Sequence, residues 1–275
     1  MIVVGVDGSR AGLEAAGWAA AEAALRGVPL RMGHAMTPWA IETGSGRYAE
    51  VARWMRQGGL SVLSAAEERV RRAWPELPLE TALLPGDPRA ALIDASRAAE
   101  LLVIGNHGLG GMRGILVGSV AYGVAGHAAC DVVVVGELPP PRGEIVAGVD
   151  GSAASGRVLD FAFAEARLRG VPLRVVHAWS WPRAEPSDDE GARRPVLERV
   201  LAGRREDHPG VSVVEEFVQG HPVEALREAA TGADLLVVGS HGHGTLAGMV
   251  LGSVSQGLIH HAPCPLAVIR SASDA

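Results

Sequence analysis

Lysine is missing altogether: all 25 basic residues are arginine. A chain without lysine cannot build the phosphate loop Gly-x4-Gly-Lys-Ser/Thr, in which the ammonium group reaches the nucleotide phosphates. Aromatic residues make up only 4% of the chain, so a core has to be packed from aliphatic side chains. There are two cysteines, Cys130 and Cys264. One thiol in each half of the chain gives no disulfide framework and suits a reducing compartment. No apolar run reaches the roughly 18 residues of a membrane-spanning helix. The net charge of −6 and pI of about 5.9 come without a clustered basic stripe, which argues against a nucleic-acid partner. Met1 runs straight into an apolar strand pattern, so no signal segment is expected, and a cytoplasmic protein with no membrane anchor is expected.

What the chain has is repetition. GVDGS at Gly5–Ser9 returns at Gly148–Ser152, and RGVPLR at Arg26–Arg31 returns at Arg169–Arg174. A Gly-x-x-Gly, nine residues, then Gly-Ser at Gly105–Ser119 returns at Gly239–Ser253. Internal repeats of this kind decide the architecture before any local reading does. Two domains are expected, residues 1–136 and 144–275, joined by the Pro-rich stretch ELPPPRG at Glu137–Gly143, a short, stiff connector. Asp7 maps to Asp150 with an offset of 143, but Gly105 maps to Gly239 with 134, so the first copy carries nine extra residues between Ala35 and Gly86.

Short β-branched apolar runs alternate with amphipathic stretches in each copy. The expected strands are Ile2–Val6, Pro29–Ala35, Leu77–Leu84, Leu101–Gly105 and Val132–Val135, then Glu144–Val149, Pro172–Trp179, Val211–Val218, Leu235–Gly239 and Leu266–Ile269. Near-continuous apolar strands fit a parallel sheet covered on both faces. The helices between them are expected at Ala11–Arg26, Arg47–Ala73, Pro88–Ala98 and Ser119–His127, and at Ala153–Arg169, Gly191–Asp207, Pro222–Ala230 and Ser253–His261. The repeated strand–helix order gives right-handed βαβ units and an α/β fold in each half. The second helix of the first copy absorbs the nine extra residues. The fifth strands, Val132–Val135 and Leu266–Ile269, would leave exposed edges, and we expect the halves to pair through them as an intramolecular pseudo-dimer.

The Gly-rich segments begin at the end of the fourth strand and finish at a helix start. In open α/β sheets that edge is where ligands bind. Glycine lets backbone N–H groups approach a ligand unhindered by a Cβ, and Gly118-Ser119 and Gly252-Ser253 open helices whose first N–H groups attract phosphate. The same glycines would also serve as plain tight turns. Asp7 and Asp150, at the ends of the first strands, suit ribose hydroxyls or a partly hydrated Mg²⁺. An Asp-Gly-Ser turn and helix cap is the plainer account of them. Asp188-Asp189-Glu190 reads as a solvated charge run.

At this point the motifs resemble a known family. GVDGS, RGVPLRxxHA, LLVIGNHGxGGMxxxLVGSV and LLVVGSHGxGxLxxxVLGSV together look like the universal stress protein family, and the resemblance spans the whole chain as a tandem member of the ATP-binding branch. It implies an adenine-nucleotide α-hydrolase-like fold in each half, with a five-stranded parallel sheet ordered 3-2-1-4-5. It implies ATP as ligand, with Mg²⁺. Val6 and Asp7 would border the ribose, and main chain at Ala35 would meet the adenine. Gly105, His107, Gly108, Gly118, Ser119 and Val120 would hold the phosphates. The second set is Val149, Asp150, Ala178, Gly239, His241, Gly242, Gly252, Ser253 and Val254. The implied role is a nucleotide-dependent regulator in stress response or growth arrest, with a protein partner that the sequence does not name.

Other candidates have plain readings. His34 and His177, near the ends of the second strands, either line the base pocket or serve as half-buried structural histidines, the plainer reading. The spacing His-x-x-Cys at His127/Cys130 and His261/Cys264 lacks the further ligands of a metal site, and a buried cysteine accounts for each. Trp39, Trp179 and Trp181 follow the second strands, where they pack a loop or cover a base. No nucleophile with a positioned base recurs in both copies, so any ATP hydrolysis is expected to be slow. A slow ATPase of the same fold and a nucleotide-free interaction module are the alternative readings, and homodimer formation stays open.

The copies differ inside the Gly-rich loop, where Arg113 faces Ala247 in the alignment. A guanidinium that reaches a phosphate adds a charge-assisted contact of about 1–3 kcal/mol. The first copy is therefore expected to bind ATP more tightly. Titrations of the Gly118→Asp and Gly252→Asp variants report each site separately, and equal affinities would refute the expectation.

Overall fold

The computed structural model describes residues 1–42, 45–107, 118–136, 138, 140, 142–152, 154–179, 190–242 and 250–271, apart from the side chains of 190–193 and 196. Two compact units emerge, Met1–Gly136 and Glu137–Ala275.

The first unit runs β1 (Ile2–Gly5), α1 (Arg10–Arg26), β2 (Leu30–Met36), α2 (Pro38–Glu42), α3 (Ala49–Ala73), β3 (Leu79–Pro85), α4 (Pro88–Ala95), β4 (Leu101–Gly105), α5 (Ser119–His127) and β5 (Asp131–Val135). Its strands lie in the order β3-β2-β1-β4-β5, and every pairing is parallel. The second unit runs β6 (Ile145–Val149), α6 (Ala154–Arg169), β7 (Leu173–Trp179), α7 (Glu190–Asp207), β8 (Val213–Gln219), α8 (Pro222–Ala229), β9 (Leu235–Gly239), α9 (Ser253–His261) and β10 (Leu266–Ile269). Its order, β8-β7-β6-β9-β10, is again all parallel. Each unit is thus an α/β sheet in the order 3-2-1-4-5.

Residue chemistry accounts for these elements. The central strands are fully buried runs, Ile2–Val4, Leu101–Val103 and Leu235–Val237, as a sheet covered on both faces demands. β3, at the edge of its sheet, is mostly half-buried or exposed. Helix α1 buries Ala15, Ala16, Ala19, Ala20 and Ala23, a strip of small side chains that brings the helix axis close to the sheet. The repeated Arg-Gly-Val-Pro-Leu motif is a helix stop. Gly27 and Gly170 both adopt φ +67°, the left-handed conformation that ends a helix. The N–H groups of Val28 and Val171 then reach back to the Ala23 and Ala166 carbonyls, each at 3.0 Å. Pro follows, where a helix cannot continue.

The structure adds elements that periodicity did not indicate. Helix α2 is one of them; the expected loop there opens with Pro38 at the first helical position instead. The long helix begins at Ala49 rather than Arg47, and the fourth helix ends in a 3₁₀ turn, Ser96–Ala98. Each unit also buries a carboxylate in its first helix. Glu22 and Glu165 are 1% and 2% exposed. Each is paired with an arginine one turn later, Glu22 with Arg26 at 2.5 Å and Glu165 with Arg169.

Removing one partner of such a buried pair leaves the other charge poorly compensated. Arg169→Ala is expected to cost about 3 kcal/mol, read as a lower urea midpoint at unchanged slope. A loss under about 1 kcal/mol would contradict the pairing.

Candidate functional site

All the strands of a unit point the same way, so their carboxyl ends form one edge. In the first unit the chain moves outward from β1 through β2 to β3, then returns to place β4 and β5 on the other side of β1. The crevice of the sheet therefore opens between β1 and β4. Register aligns Val4 with Val103 and Gly5 with Gly33. That alignment gathers Val6-Asp7, His34-Ala35 and Gly105–His107 at one place. In the second unit Ala147 pairs with Val237 and Val149 with His177, which gathers Val149-Asp150, His177-Ala178 and Gly239–His241.

The first crevice is built from very close backbone approaches. A Cβ on Gly105 would stand 2.8 Å from the Ala11 carbonyl carbon and 3.0 Å from the Gly12 nitrogen. A Cβ on Gly12 would in turn stand 2.8 Å from Asp7 Oδ1. Asp7 Oδ1 accepts the Ser9 N–H at 2.9 Å, and Ser9 Oγ caps α1 by accepting the Gly12 N–H at 3.0 Å. Ser9 Oγ also donates to the His107 carbonyl at 3.4 Å, so the turn carrying Asp7 touches the start of the Gly-rich segment. At the far end of that segment, the Gly118 N–H donates to the Asn106 carbonyl at 3.1 Å. This draws the beginning and the end of the segment together. Helix α5 starts there with Gly118 as its cap residue and no side-chain cap. Ser119, at its first position, is exposed. Its opening N–H groups thus face the crevice edge without a side chain to satisfy them.

The second unit repeats the arrangement. The Gly252 N–H donates to the Ser240 carbonyl at 2.8 Å, and α9 again opens on a glycine with no side-chain cap. Asp150 Oδ1 accepts from the Ser152 N–H at 2.9 Å and the Ser155 hydroxyl at 3.1 Å. A Cβ on Gly242 would overlap Asp150 Oδ2, so Gly242 lies directly over this carboxylate. One detail differs: Ser155, not Ser152, closes the turn, by accepting from Gly151 N at 3.1 Å. Ser152 Oγ is buried without a hydrogen-bond partner among the described residues.

Both the ligand and the turn readings of Asp7 and Asp150 have geometric content here. Each aspartate holds its turn through Oδ1, and each lies beside the Gly-rich segment. Among the described residues no group of three or more His, Cys, Asp or Glu converges in a way that could hold a metal ion. Gly108, Arg113 and Ala247 lie outside the described residues, as do Trp181 and Asp188-Asp189.

The histidines act as braces. His34 Nδ1 meets the Val6 carbonyl at 2.8 Å, and His177 Nδ1 meets Val149 at 3.0 Å, each locking the second strand's end to the first strand's. His127 turns inward on its own helix, with Nδ1 2.8 Å from the Gly123 carbonyl. Cys264 is buried, and burial pushes its thiol up to about 12, so with no ligand beside it the thiol stays protonated. Cys130 departs from expectation: it is half-buried rather than buried, although it holds the same place before β5 that Cys264 holds before β10. Trp39 lies on α2 and is 42% exposed. Trp179 ends β7, where its ring stacks with His177 at 6.2 Å.

Next to the first crevice, on the β2–β3 side, is a cavity of about 860 Å³. Its walls are the end of β2 (His34–Thr37), the β3–α4 turn (Gly86–Pro88) and one stretch of α3. Ala35, expected at the base, lies in this wall. Trp54, Met55, Gly58 and Asp87 also line it, and motif matching does not reveal them. The only hint in the sequence is an aromatic residue, Trp54, in the second helix of the first copy.

Comparison with known proteins follows the division of the chain into two halves. The universal stress protein family model matches residues 1–136 and again 142–270. The chain belongs to the universal stress protein family. A universal stress protein of Mycobacterium tuberculosis is 35% identical over 289 residues, covering 98% of this chain and 96% of the relative. One from Mycolicibacterium smegmatis is 35% identical over 283 residues, with the same coverage. Among solved structures, a universal stress protein from Archaeoglobus fulgidus superimposes with a TM-score of 0.75 at 21% identity, over 98% of both chains.

The tight contacts on Gly105 make it a test of the crevice. Gly105→Ala is expected to lose about 1–3 kcal/mol, because the methyl must push α1 off β4. Gly17→Ala, with open space at its Cβ, is expected to be neutral or stabilising. Thermal unfolding of the two variants side by side checks this; equal effects would mean the contact is not tight.

Proposed function

We propose that each half binds ATP with Mg²⁺ at the carboxyl edge of its sheet, and that the chain works as a cytoplasmic, nucleotide-dependent regulator in stress response or growth arrest. The observation that carries this reading is the doubled crevice. A Gly-rich segment has its two ends joined by a hydrogen bond, ends on an uncapped helix start, and begins beside a carboxylate at the switch point of a parallel sheet. In this reading the triphosphate takes the amides of Gly118–Val120 or Gly252–Val254. The ribose lies at Val6-Asp7 or Val149-Asp150, and the adenine reaches main chain at Ala35 or Ala178. Adjacent strands are about 4.8 Å apart, so base, ribose and phosphates fall in line along β2, β1 and β4. Mg²⁺ would arrive with the phosphates, with Asp7 and Asp150 as the carboxylates nearest to hand. Membership of the family supports the regulatory role.

A second reading is a nucleotide-free interaction module. It draws on the hydrogen bonds by which Asp7 and Asp150 each hold a turn, a job that needs no ligand. The two readings separate in one measurement. With ATP and Mg²⁺ at 100 times Kd, a bound site adds about 2.7 kcal/mol to stability. The expected result is a rise in melting temperature with ATP–Mg²⁺, together with adenine nucleotide released by heat from freshly purified protein. No shift at millimolar ATP and no released nucleotide would leave the interaction module.

A further inference from the structure

We propose that Trp54 is the base platform of the first site, its indole stacking on the purine ring, so that the first half reads the base while the second grips chiefly the phosphates. This rests on the nucleotide reading above and adds to it a residue and a selectivity.

Three features of α3 converge on the idea. Trp54 is 77% exposed, the most exposed large apolar side chain among the described residues, yet it lines the cavity beside Ala35. An indole held in water at the mouth of a largely apolar cavity is a surface in want of a flat partner. One turn later come Gly58 and Gly59. Gly59 lets the helix press on the sheet: a Cβ there would lie 3.0 Å from both His34 Cδ2 and Leu83 Cδ2. Gly58 does the opposite, since a Cβ there would meet nothing within 4 Å. A helical side chain covers the turn N-terminal to its own Cα. The missing side chain at Gly58 therefore uncovers the stretch of helix at Trp54, leaving a slot with the indole on one side and the β2 end on the other. The mouth of the slot is held in place, because Arg56 ties α3 to α2 through the Ile41 carbonyl at 3.3 Å.

Trp54 has no aromatic counterpart in the sequence of the second half. The offset of 134 that relates Gly105 to Gly239 also relates Pro88 to Pro222. Carried back through the sequence, it sets Asp188 against Trp54 and Asp189 against Met55. An aromatic and a thioether in one copy are replaced by two carboxylates in the other. A flat indole favours a bicyclic purine over a smaller pyrimidine, and every stacked base contributes to binding whatever its hydrogen-bonding edge.

The test uses the full chain and four variants, with ATP, CTP and inorganic tripolyphosphate as probes in equilibrium dialysis. Wild type is expected to hold ATP more tightly than CTP at one of two sites. Trp54→Ala is expected to weaken ATP at that site roughly tenfold, in line with the loss of one base stack, and to bring ATP and CTP level. Tripolyphosphate binding should not change. Trp54→Phe should recover most of the loss. Gly58→Leu, which covers the slot while leaving Trp54 itself in place, should reproduce the defect while the melting temperature holds or rises. Trp179→Phe in the second half should leave the preference unaltered. Equal ATP affinity in wild type and Trp54→Ala would overturn the proposal and leave the nucleotide reading standing. So would a parallel loss of ATP and tripolyphosphate, which marks a general disturbance. No ATP bound by wild type at all would remove both.

Discussion

Everything at the crevice depends on how closely main chain can approach main chain where the first helix meets the first and fourth strands. Gly105 and Gly12 face one another across a gap that admits no methyl group. Because they do, α1 settles directly on the ends of β1 and β4. Its alanine strip then packs flat, and Ser9 stands near enough to His107 to join the two loops. A single extra carbon at that point would displace the helix, the turn carrying Asp7 and the start of the Gly-rich segment together. The second unit meets the same demand by other contacts: Gly239 under the His241 carbonyl and Gly242 over Asp150.

Much of the architecture was legible because each strand advertises itself. Leu101–Gly105, Leu235–Gly239 and Leu266–Ile269 are apolar runs bounded by charge, proline or glycine, and they fold as strands over those same residues. The order of the strands was not written in any one of them; it came with the family resemblance and is seen in both units. The repeated Arg-Gly-Val-Pro-Leu, met as a marker of duplication, turns out to be a helix terminator.

What stayed hidden depended on tertiary packing. Pattern reading sends charged residues outward, so Glu22 and Glu165 went unnoticed; the signal lay in the recurrence of an arginine four residues on, in both copies. Trp54 was visible only as one tryptophan among six without a period. Its significance arises from the bare helix surface at Gly58, and no sequence rule predicts where a helix will face a cavity. Helix α2 is too short for periodicity to register, and only Pro38 announced it.

The nine-residue helices α5 and α9 begin without a side chain to satisfy their first amides. Such a helix start is complete only when something else brings oxygen atoms to it. Water does so loosely, and an anion does so firmly. Each unit thus carries one short helix whose opening amides are left to whatever acceptor the surroundings supply.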